Sequence, residues 1–330
     1  MKQLAIISGK GGSGKTTLTA AFASLAKNAV IADCDVDAAD MHLILKPEIQ
    51  DEDDYLGLEV ASIDPELCTG CGKCREVCRF GAISENITIN QYSCEGCAVC
   101  TVACPENAVS MKPRISGQVF SSKTRFGPLA HAKLGIGEEA SGKLVSAARE
   151  RATKLAEQYT KDLIIIDGPP GIGCPVIAAI TGTDLVLAVS EPTVSGIHDL
   201  KRVIELAKHF RIPAAVCINK CDINEENSLK IEEFCAEAGV PVLGRLPYDD
   251  ITTRAMMREE TVIEYAAREG SLSNEKVSCP ENSPCLENSP DHEESVKGRD
   301  FTSKVRKIWE RLEERLSEVS FKGPGMVSFK

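Results

Sequence analysis

Residues 4–17 read LAIISGKGGSGKTT, a short apolar run followed by a glycine-rich turn that ends in Lys15, Thr16 and Thr17. Gly9-Lys10-Gly11-Gly12-Ser13-Gly14-Lys15-Thr16 fits the pattern G-x-x-x-x-G-K-S/T. Leu4–Ser8 reads as a buried strand, and the residues after the turn read as a helix to about Ala26. That strand–loop–helix setting is what phosphate binding needs. Gly9, Gly11, Gly12 and Gly14 free the backbone N–H groups around Ser13 to wrap phosphates, and the helix N-terminus adds a positive field. Lys15 is expected to reach the β- and γ-phosphates, and Thr16 to hold Mg²⁺, with Thr17 beside it.

Outward from this loop the chain alternates between strand-like and helix-like segments. Ala29–Asp33, Gln118–Arg125, Leu129–Leu134, Asp162–Asp167, Asp184–Ser190, Ala214–Asn219 and Pro241–Leu246 read as strands. Ser141–Tyr159 and about 195–210 and 225–238 read as helices. The alternation predicts an α/β fold, a doubly wound, mostly parallel sheet of the P-loop NTPase type. Residues 47–59 are acidic and read as a loop.

Residues 60–112 differ in kind. LCTGCGKCREVCRFGAI at 67–83 repeats as SCEGCAVCTVACPENAV at 93–109, a period of 26 residues. Cys68, Cys71, Cys74 and Cys78 form C-x2-C-x2-C-x3-C, and Cys94, Cys97, Cys100 and Cys104 form the same run before Pro105. Two such runs resemble the bacterial two-cluster ferredoxin pattern, in which the fourth cysteine of each run serves the other cluster. The expectation is two [4Fe–4S] clusters on an inserted α+β ferredoxin-like domain. One cluster would use Cys68, Cys71, Cys74 and Cys104, the other Cys94, Cys97, Cys100 and Cys78. Arg79 stands where the first run lacks the usual proline. The implied division is 1–59 and 113–270 for the two parts of the ATPase domain, 60–112 for the insert, 271–299 for a polar linker and 300–330 for an amphipathic helix and tail.

With Lys10 inside it, the phosphate loop resembles the deviant Walker A family of MinD, ParA, Mrp-type cluster carriers and the nitrogenase iron protein. The resemblance implies that Lys10 crosses a dimer interface to the nucleotide of a second subunit. Asp33-Cys34-Asp35-Val36-Asp37 falls where that family has its first switch, and Asp35 matches the position that orients the attacking water. DLIIIDGPPGIGCPV at 162–176 resembles the family's Walker B strand and second switch, with Asp167 serving the Mg²⁺ shell. Asn219-Lys220-Cys221-Asp222 looks like the guanine-reading N-K-x-D of GTPases. In this family the same place reads adenine, through Asn219, and the segment around Pro247 covers the base. The resemblance thus implies ATP and Mg²⁺ as ligands, and catalysis by Lys10, Lys15, Asp35 and Asp167.

The chain has 330 residues and is acidic, with 38 Lys and Arg against 49 Asp and Glu. That balance speaks against a nucleic-acid surface. No signal peptide and no membrane-spanning run is visible, so a cytoplasmic location is expected. Of the 15 cysteines, Cys34, Cys217 and Cys235 read as core, and Cys174 lies inside the second switch. Phe301, Val305, Ile308, Trp309, Leu312, Leu316 and Val319 mark an amphipathic helix. Its balanced charges favour packing on the core or a partner over a membrane surface. The expected function is a slow, partner-stimulated ATPase that forms a homodimer, or a heterodimer with a paralogue, and couples nucleotide state to electron transfer to a redox partner. The alternatives are a cluster carrier of the Mrp type, with a metal-cluster partner, and a positioning switch of the MinD/ParA type.

Overall fold

The computed structural model of the chain describes residues 1–135, 138, 142–275 and 290–319. The first half runs β1 (Lys2–Ser8), α1 (Lys15–Leu25), β2 (Ala29–Asp33), α2 (Met41–Leu45), β3 (Glu48–Ile63), α3 (Lys73–Val77), α4 (Val99–Ala103), β4 (Val109–Thr124), β5 (Gly127–Leu134) and α5 (Gly142–Gln158). The second half runs β6 (Leu163–Pro170), α6 (Cys174–Ile180), β7 (Leu185–Ser190), α7 (Val194–His209), β8 (Ala214–Ile218), α8 (Glu225–Ala238), β9 (Val242–Arg245), α9 (Ile251–Met257), α10 (Val262–Glu275) and α11 (Pro290–Glu318).

The described strands form one nine-stranded sheet in the order β3-β4-β5-β2-β6-β1-β7-β8-β9. From β5 to β9 every pairing is parallel, while β3–β4 and β4–β5 are antiparallel. The central strands are nearly continuous apolar runs because helices cover them on both faces. One apolar layer lies under α5, α6, α7 and α8 and includes Leu144, Val176, Leu200, Val203, Ile204 and Ile231. The other lies under α1, α9, α10 and α11 and includes Leu18, Phe22, Ile251, Val305 and Leu312. In α7, Leu200, Val203, Ile204 and Ala207 recur at helical spacing and are buried. Thr193 caps that helix by accepting the Gly196 N–H at 3.0 Å.

Two expectations change at the sheet's edge. Residues 47–59 are strand rather than loop: β3 pairs with β4 from Glu48 opposite Lys123 to Ile63 opposite Val109. The acidic run hides a strand because it lies at the sheet edge, where charges are tolerated and discourage further pairing. Asp51 and Asp53, two residues apart and so on one face, both pair with Arg151 of α5. The ferredoxin-like insert is likewise not a separate domain. Its expected limits at 60 and 112 fall inside β3 and β4, and the cysteine repeat occupies the far end of this long ribbon. A small apolar core there joins Ala61, Cys74, Ile83, Cys100 and Val109.

At the other end of the chain, part of 271–299 is helical: α10 runs to Glu275 and α11 starts at Pro290. Cys279 and Cys285 lie outside the described residues. The apolar stripe of α11 is seated on the sheet, with Phe301, Val305, Ile308, Trp309, Leu312 and Leu316 all buried. Trp309 stacks on Phe22 of α1 with ring centroids 5.4 Å apart. Ile308 closes over Gly244, where a Cβ would lie 2.6 Å from its Cγ1. Arg125 ties the β4–β5 turn to α2 and α10, donating to the Ile44 and Leu45 carbonyls and, bidentately, to Glu264 of α10.

Because the Trp309 ring is 4% exposed, Trp309→Ala is expected to lower the unfolding free energy by about 3–5 kcal/mol. Urea unfolding followed by far-ultraviolet circular dichroism measures this. A loss below about 1 kcal/mol would show that α11 contributes little to the core.

Candidate nucleotide site

The site lies where the carboxyl ends of β1, β2 and β6 meet, the place where open α/β sheets bind ligands. β1 delivers the phosphate loop, β2 delivers Asp33 and Asp35, and β6 delivers Asp167 directly opposite Asp33 in the ladder. Helix α1 starts at Lys15 after Gly14, which sits at φ 92° and offers no side-chain cap. The first N–H groups of α1 are therefore left for a ligand. A Cβ on Gly14 would lie 2.4 Å from Asn219 Nδ2, so glycine is required there for space as well as for φ. The Ser13 hydroxyl is buried and has no hydrogen-bond partner, a donor left available inside the loop.

Behind the loop, charge is concentrated and dry. Lys15 Nζ donates to Asp35 Oδ2 at 3.2 Å, and both side chains are buried. Thr16 Oγ1 donates to Asp167 Oδ2 at 2.7 Å, and Thr19 Oγ1 to Asp167 Oδ1 at 3.0 Å. Asp33 Oδ1 accepts the Asp35 N–H at 3.2 Å. Burial pushes the Asp33 carboxyl well above the usual carboxylate range, and the neighbouring Asp167 charge pushes it further. Burial also raises Asp35, against the pull of Lys15, and raises Asp167, against Lys15 and the two threonine hydroxyls. Three carboxyls thus share one buried ammonium, and a divalent cation would relieve the excess negative charge. Thr16 and Asp167 are the side chains that would hold Mg²⁺, which usually takes one or two protein ligands and keeps the rest of its shell for water and phosphate.

Asn219 and Pro247 both fall at the end of the sheet that carries the loop, after β8 and β9. Asn219 Nδ2 donates to the Ser13 carbonyl at 2.8 Å, so this side chain braces the loop. Asp222 Oδ1 accepts the Tyr248 N–H at 2.6 Å, which fixes the segment around Pro247. Lys10 stands at the rim with its side chain 34% exposed, paired with Glu191. Thr19 and Glu191 escaped the sequence reading. A signal for Glu191 was its place immediately after β7, at the ligand-binding edge of the sheet. Thr19 sits one helical turn after Lys15, on the face that meets Asp167.

A model of the CobQ/CobB/MinD/ParA nucleotide binding domain matches residues 4–262. The chain belongs to that family. An uncharacterized protein of Methanocaldococcus jannaschii is 38% identical over 228 residues, covering 68% of this chain and 80% of its own length. An uncharacterized ATP-binding protein of the same organism is 25% identical over 261 residues, covering 76% of each chain. Among solved structures, MinD of Pyrococcus horikoshii with Mg-ADP has a TM-score of 0.53 at 15% identity, covering 97% of this chain and 98% of its own. The MinC:MinD complex of Aquifex aeolicus has a TM-score of 0.51 at 19% identity, covering 95% and 96%. These likenesses agree with the doubly wound P-loop fold. As a member of the CobQ/CobB/MinD/ParA family, the chain is an ATPase: it binds ATP and hydrolyses it to ADP and phosphate.

The expectation of two [4Fe–4S] clusters is corrected. Among the described residues, no group of three or more His, Cys, Asp or Glu side chains is placed to hold a metal ion. Cys71 and Cys97 are exposed, whereas Cys74 and Cys100 are buried in the small core of the ribbon. Burial raises the Cys74 and Cys100 thiols, favouring the neutral form that packs as a small apolar side chain. Of Cys68, Cys71, Cys74 and Cys78 and of Cys94, Cys97, Cys100 and Cys104, Cys74 and Cys100 pack in the small core of the ribbon, with Cys78, Cys94 and Cys104 partly buried against it. Electron transfer, the redox partner and the cluster-carrier alternative, all of which rested on those clusters, fall with them.

The buried carboxyls give the nucleotide-free protein a distinctive pH dependence. Asp33 holds its proton more tightly folded than unfolded, so stability falls as pH rises from about 3.9, the unfolded value, through its raised folded value. In Asp33→Asn that loss is expected to shrink, giving a flatter profile and a higher melting temperature at neutral pH. Thermal melts across pH measure it, and identical profiles for the two proteins would remove the argument.

Proposed function

We propose that this ATPase is a nucleotide-dependent positioning switch: two copies close face to face around two ATP molecules, and hydrolysis opens them. The observation that carries this reading is Lys10. Its ammonium stands at the rim of the phosphate loop, partly exposed, while Lys15 occupies the interior. A second cation, at the rim of the loop, has no role toward the chain's own phosphates that Lys15 does not already fill. Crossing to the γ-phosphate of a second subunit gives it one, by the electrostatic logic of an arginine finger.

In this scheme ATP draws Lys15 from Asp35 to the β- and γ-phosphates. Asp35 is then free to orient the attacking water. Water adds to the γ-phosphorus as the bond to the bridging oxygen of ADP breaks, and its proton leaves with the phosphate. Thr16 and Asp167 would hold Mg²⁺, which would supply positive charge to the phosphates. Gly9, Gly11, Gly12, Ser13, Gly14 and Thr17 surround the phosphates, and Asn219 and Pro247 flank the base. Departure of the γ-phosphate lets the segments after Asp35 and Asp167 relax, and Gly171, at φ 95°, marks where the second one turns.

The partners implied are a second copy of the chain, or a paralogue, and a protein that docks only on the closed dimer. The MinC:MinD complex supports this reading by likeness of fold. A cytoplasmic setting fits: among the described residues no helix is long and apolar enough to cross a membrane. The apolar stripe of α11 is already covered by the sheet.

Sedimentation velocity with and without Mg-ATP is expected to show an ATP-dependent dimer. Lys10→Ala should keep ATP binding but lose the dimer and slow turnover by about a hundredfold or more. Asp35→Ala should dimerise normally and hydrolyse slowly. Wild-type turnover in Lys10→Ala would refute the crossing lysine, and wild-type turnover in Asp35→Ala would refute the water-orienting role.

A further inference from the structure

The rim of the loop holds an arrangement that the ATPase reaction does not by itself require. Glu191 follows the last residue of β7 and precedes the Thr193 cap of α7. Its side chain is 12% exposed and carries two ammonium groups, one on each oxygen. Oε1 pairs with Lys10, and Oε2 takes Lys220 Nζ at 3.2 Å. Lys220 also donates to the Gly12 carbonyl at 3.0 Å. Lys10 has two weaker acceptors near it, the Thr193 hydroxyl at 3.3 Å and the Ser195 hydroxyl at 3.4 Å. The Lys10 ammonium thus meets Glu191, Thr193 and Ser195, in the β7–α7 connection and the first turn of α7 of its own chain.

We infer that Glu191 is a positioning residue, a cis latch that holds Lys10 on its own subunit until the γ-phosphate of a second subunit's ATP outcompetes the carboxylate. The inference rests on the reading of Lys10 as the crossing lysine and adds the step that controls it. A terminal phosphate carries more negative charge than one carboxylate and presents three oxygens, so it wins the ammonium once the subunits meet. Before that encounter, the ion pair must be broken at a cost that opposes closure. Lys220 makes the latch report on the loop, because the same carboxylate that restrains Lys10 is bridged through Lys220 to Gly12. Phosphates entering the loop bring negative charge toward Lys220 and Lys10 together, which weakens the hold of Glu191 on both. Burial alone would raise the Glu191 carboxyl, but the hydrogen bonds from Lys10 and Lys220 outweigh it and hold the carboxyl below its ordinary range. The latch is accordingly charged throughout the neutral pH range.

The test measures ATP turnover against protein concentration for the full chain and for Glu191→Gln, Lys10→Ala and the double variant. Glutamine keeps the shape and removes the charge. Its expected effect is a gain: half-maximal turnover at a protein concentration about two- to fivefold lower, the range that a partly exposed ion pair commands. Loss of a merely structural contact would move turnover the other way. The gain is expected to narrow in high salt, where the wild-type pair is screened, and to vanish in the Lys10→Ala background. An unchanged or higher concentration for Glu191→Gln, with Lys10→Ala still impaired, would overturn the latch and leave the crossing lysine standing. A gain that survives in the Lys10→Ala background would also overturn it. Wild-type turnover by Lys10→Ala would instead remove the underlying reading. Should the Gln variant fail to fold, judged by its thermal melt, Glu191→Ser is read in the same way.

Discussion

Lys15 Nζ lies 3.2 Å from Asp35 Oδ2 in a site that also buries Asp33 and Asp167. Much of the rest of the structure follows from keeping that set of charges dry and in place. Burying an unpaired carboxylate is costly, and burial raises all three carboxyls here. The site persists because the groups sit on buried, paired elements at the centre of the sheet. Asp33 and Asp167 are ladder partners on two central strands, and Lys15 opens a helix whose next turns are packed by Leu18 and Phe22. Thr16 and Thr19, one on each oxygen of Asp167, hydrogen-bond a buried carboxylate that the Lys15 charge also favours. A loop that binds a polyanion and a cation has to be built this way, with the countercharges waiting and unable to reach water.

That core of the molecule was legible because its sequence is doubly constrained. The loop requires glycine where φ is positive, as at Gly12 and Gly14. The strands beside it must be apolar on both faces. Pattern and motif therefore point to the same residues. The sheet edge was not legible for the opposite reason. β3 carries its acidic residues on a strand whose outer edge has no neighbour among the described residues, so nothing there forces the apolar alternation by which strands are recognised. The long-range partner that makes sense of Asp51 and Asp53, Arg151 on α5, is about a hundred residues away in sequence and invisible to local pattern.

The cysteine repeat shows a different limit. Spacing states which residues lie near one another along the chain, not where their side chains point once the chain is folded. Cys74 and Cys100 each sit in a short helix, α3 and α4, whose inward positions serve the apolar core of the ribbon. Thiols meet that need well, being small, weakly polar and content without a partner. The same spacing leaves Cys71 and Cys97 on the outside. The C-terminal helix was easier to read because its stripe is long and strict. What the stripe could not say was which surface it covers. That is settled by shape: the absence of a side chain at Gly244 makes room for Ile308, and Phe22 offers a face to Trp309.

At one end of the sheet the phosphate loop, which follows β1, and its counterions are met by the connections after β2, β7 and β8 and by Asp167 near the end of β6. Asp35 holds Lys15, Asp167 holds Thr16, Glu191 holds Lys10, and Asn219 and Lys220 hold the carbonyls of Ser13 and Gly12. Each contact is polar and local, whereas α6, α7 and α8 behind these connections share one apolar layer. In the proposed switch, a nucleotide that replaces several of these contacts at once would change how α6, α7 and α8 are tethered without disturbing what packs beneath them. The division between a dry, rigid sheet and a polar, exchangeable rim is therefore the feature that lets a few ångströms of phosphate chemistry be felt on the outer surface of the molecule.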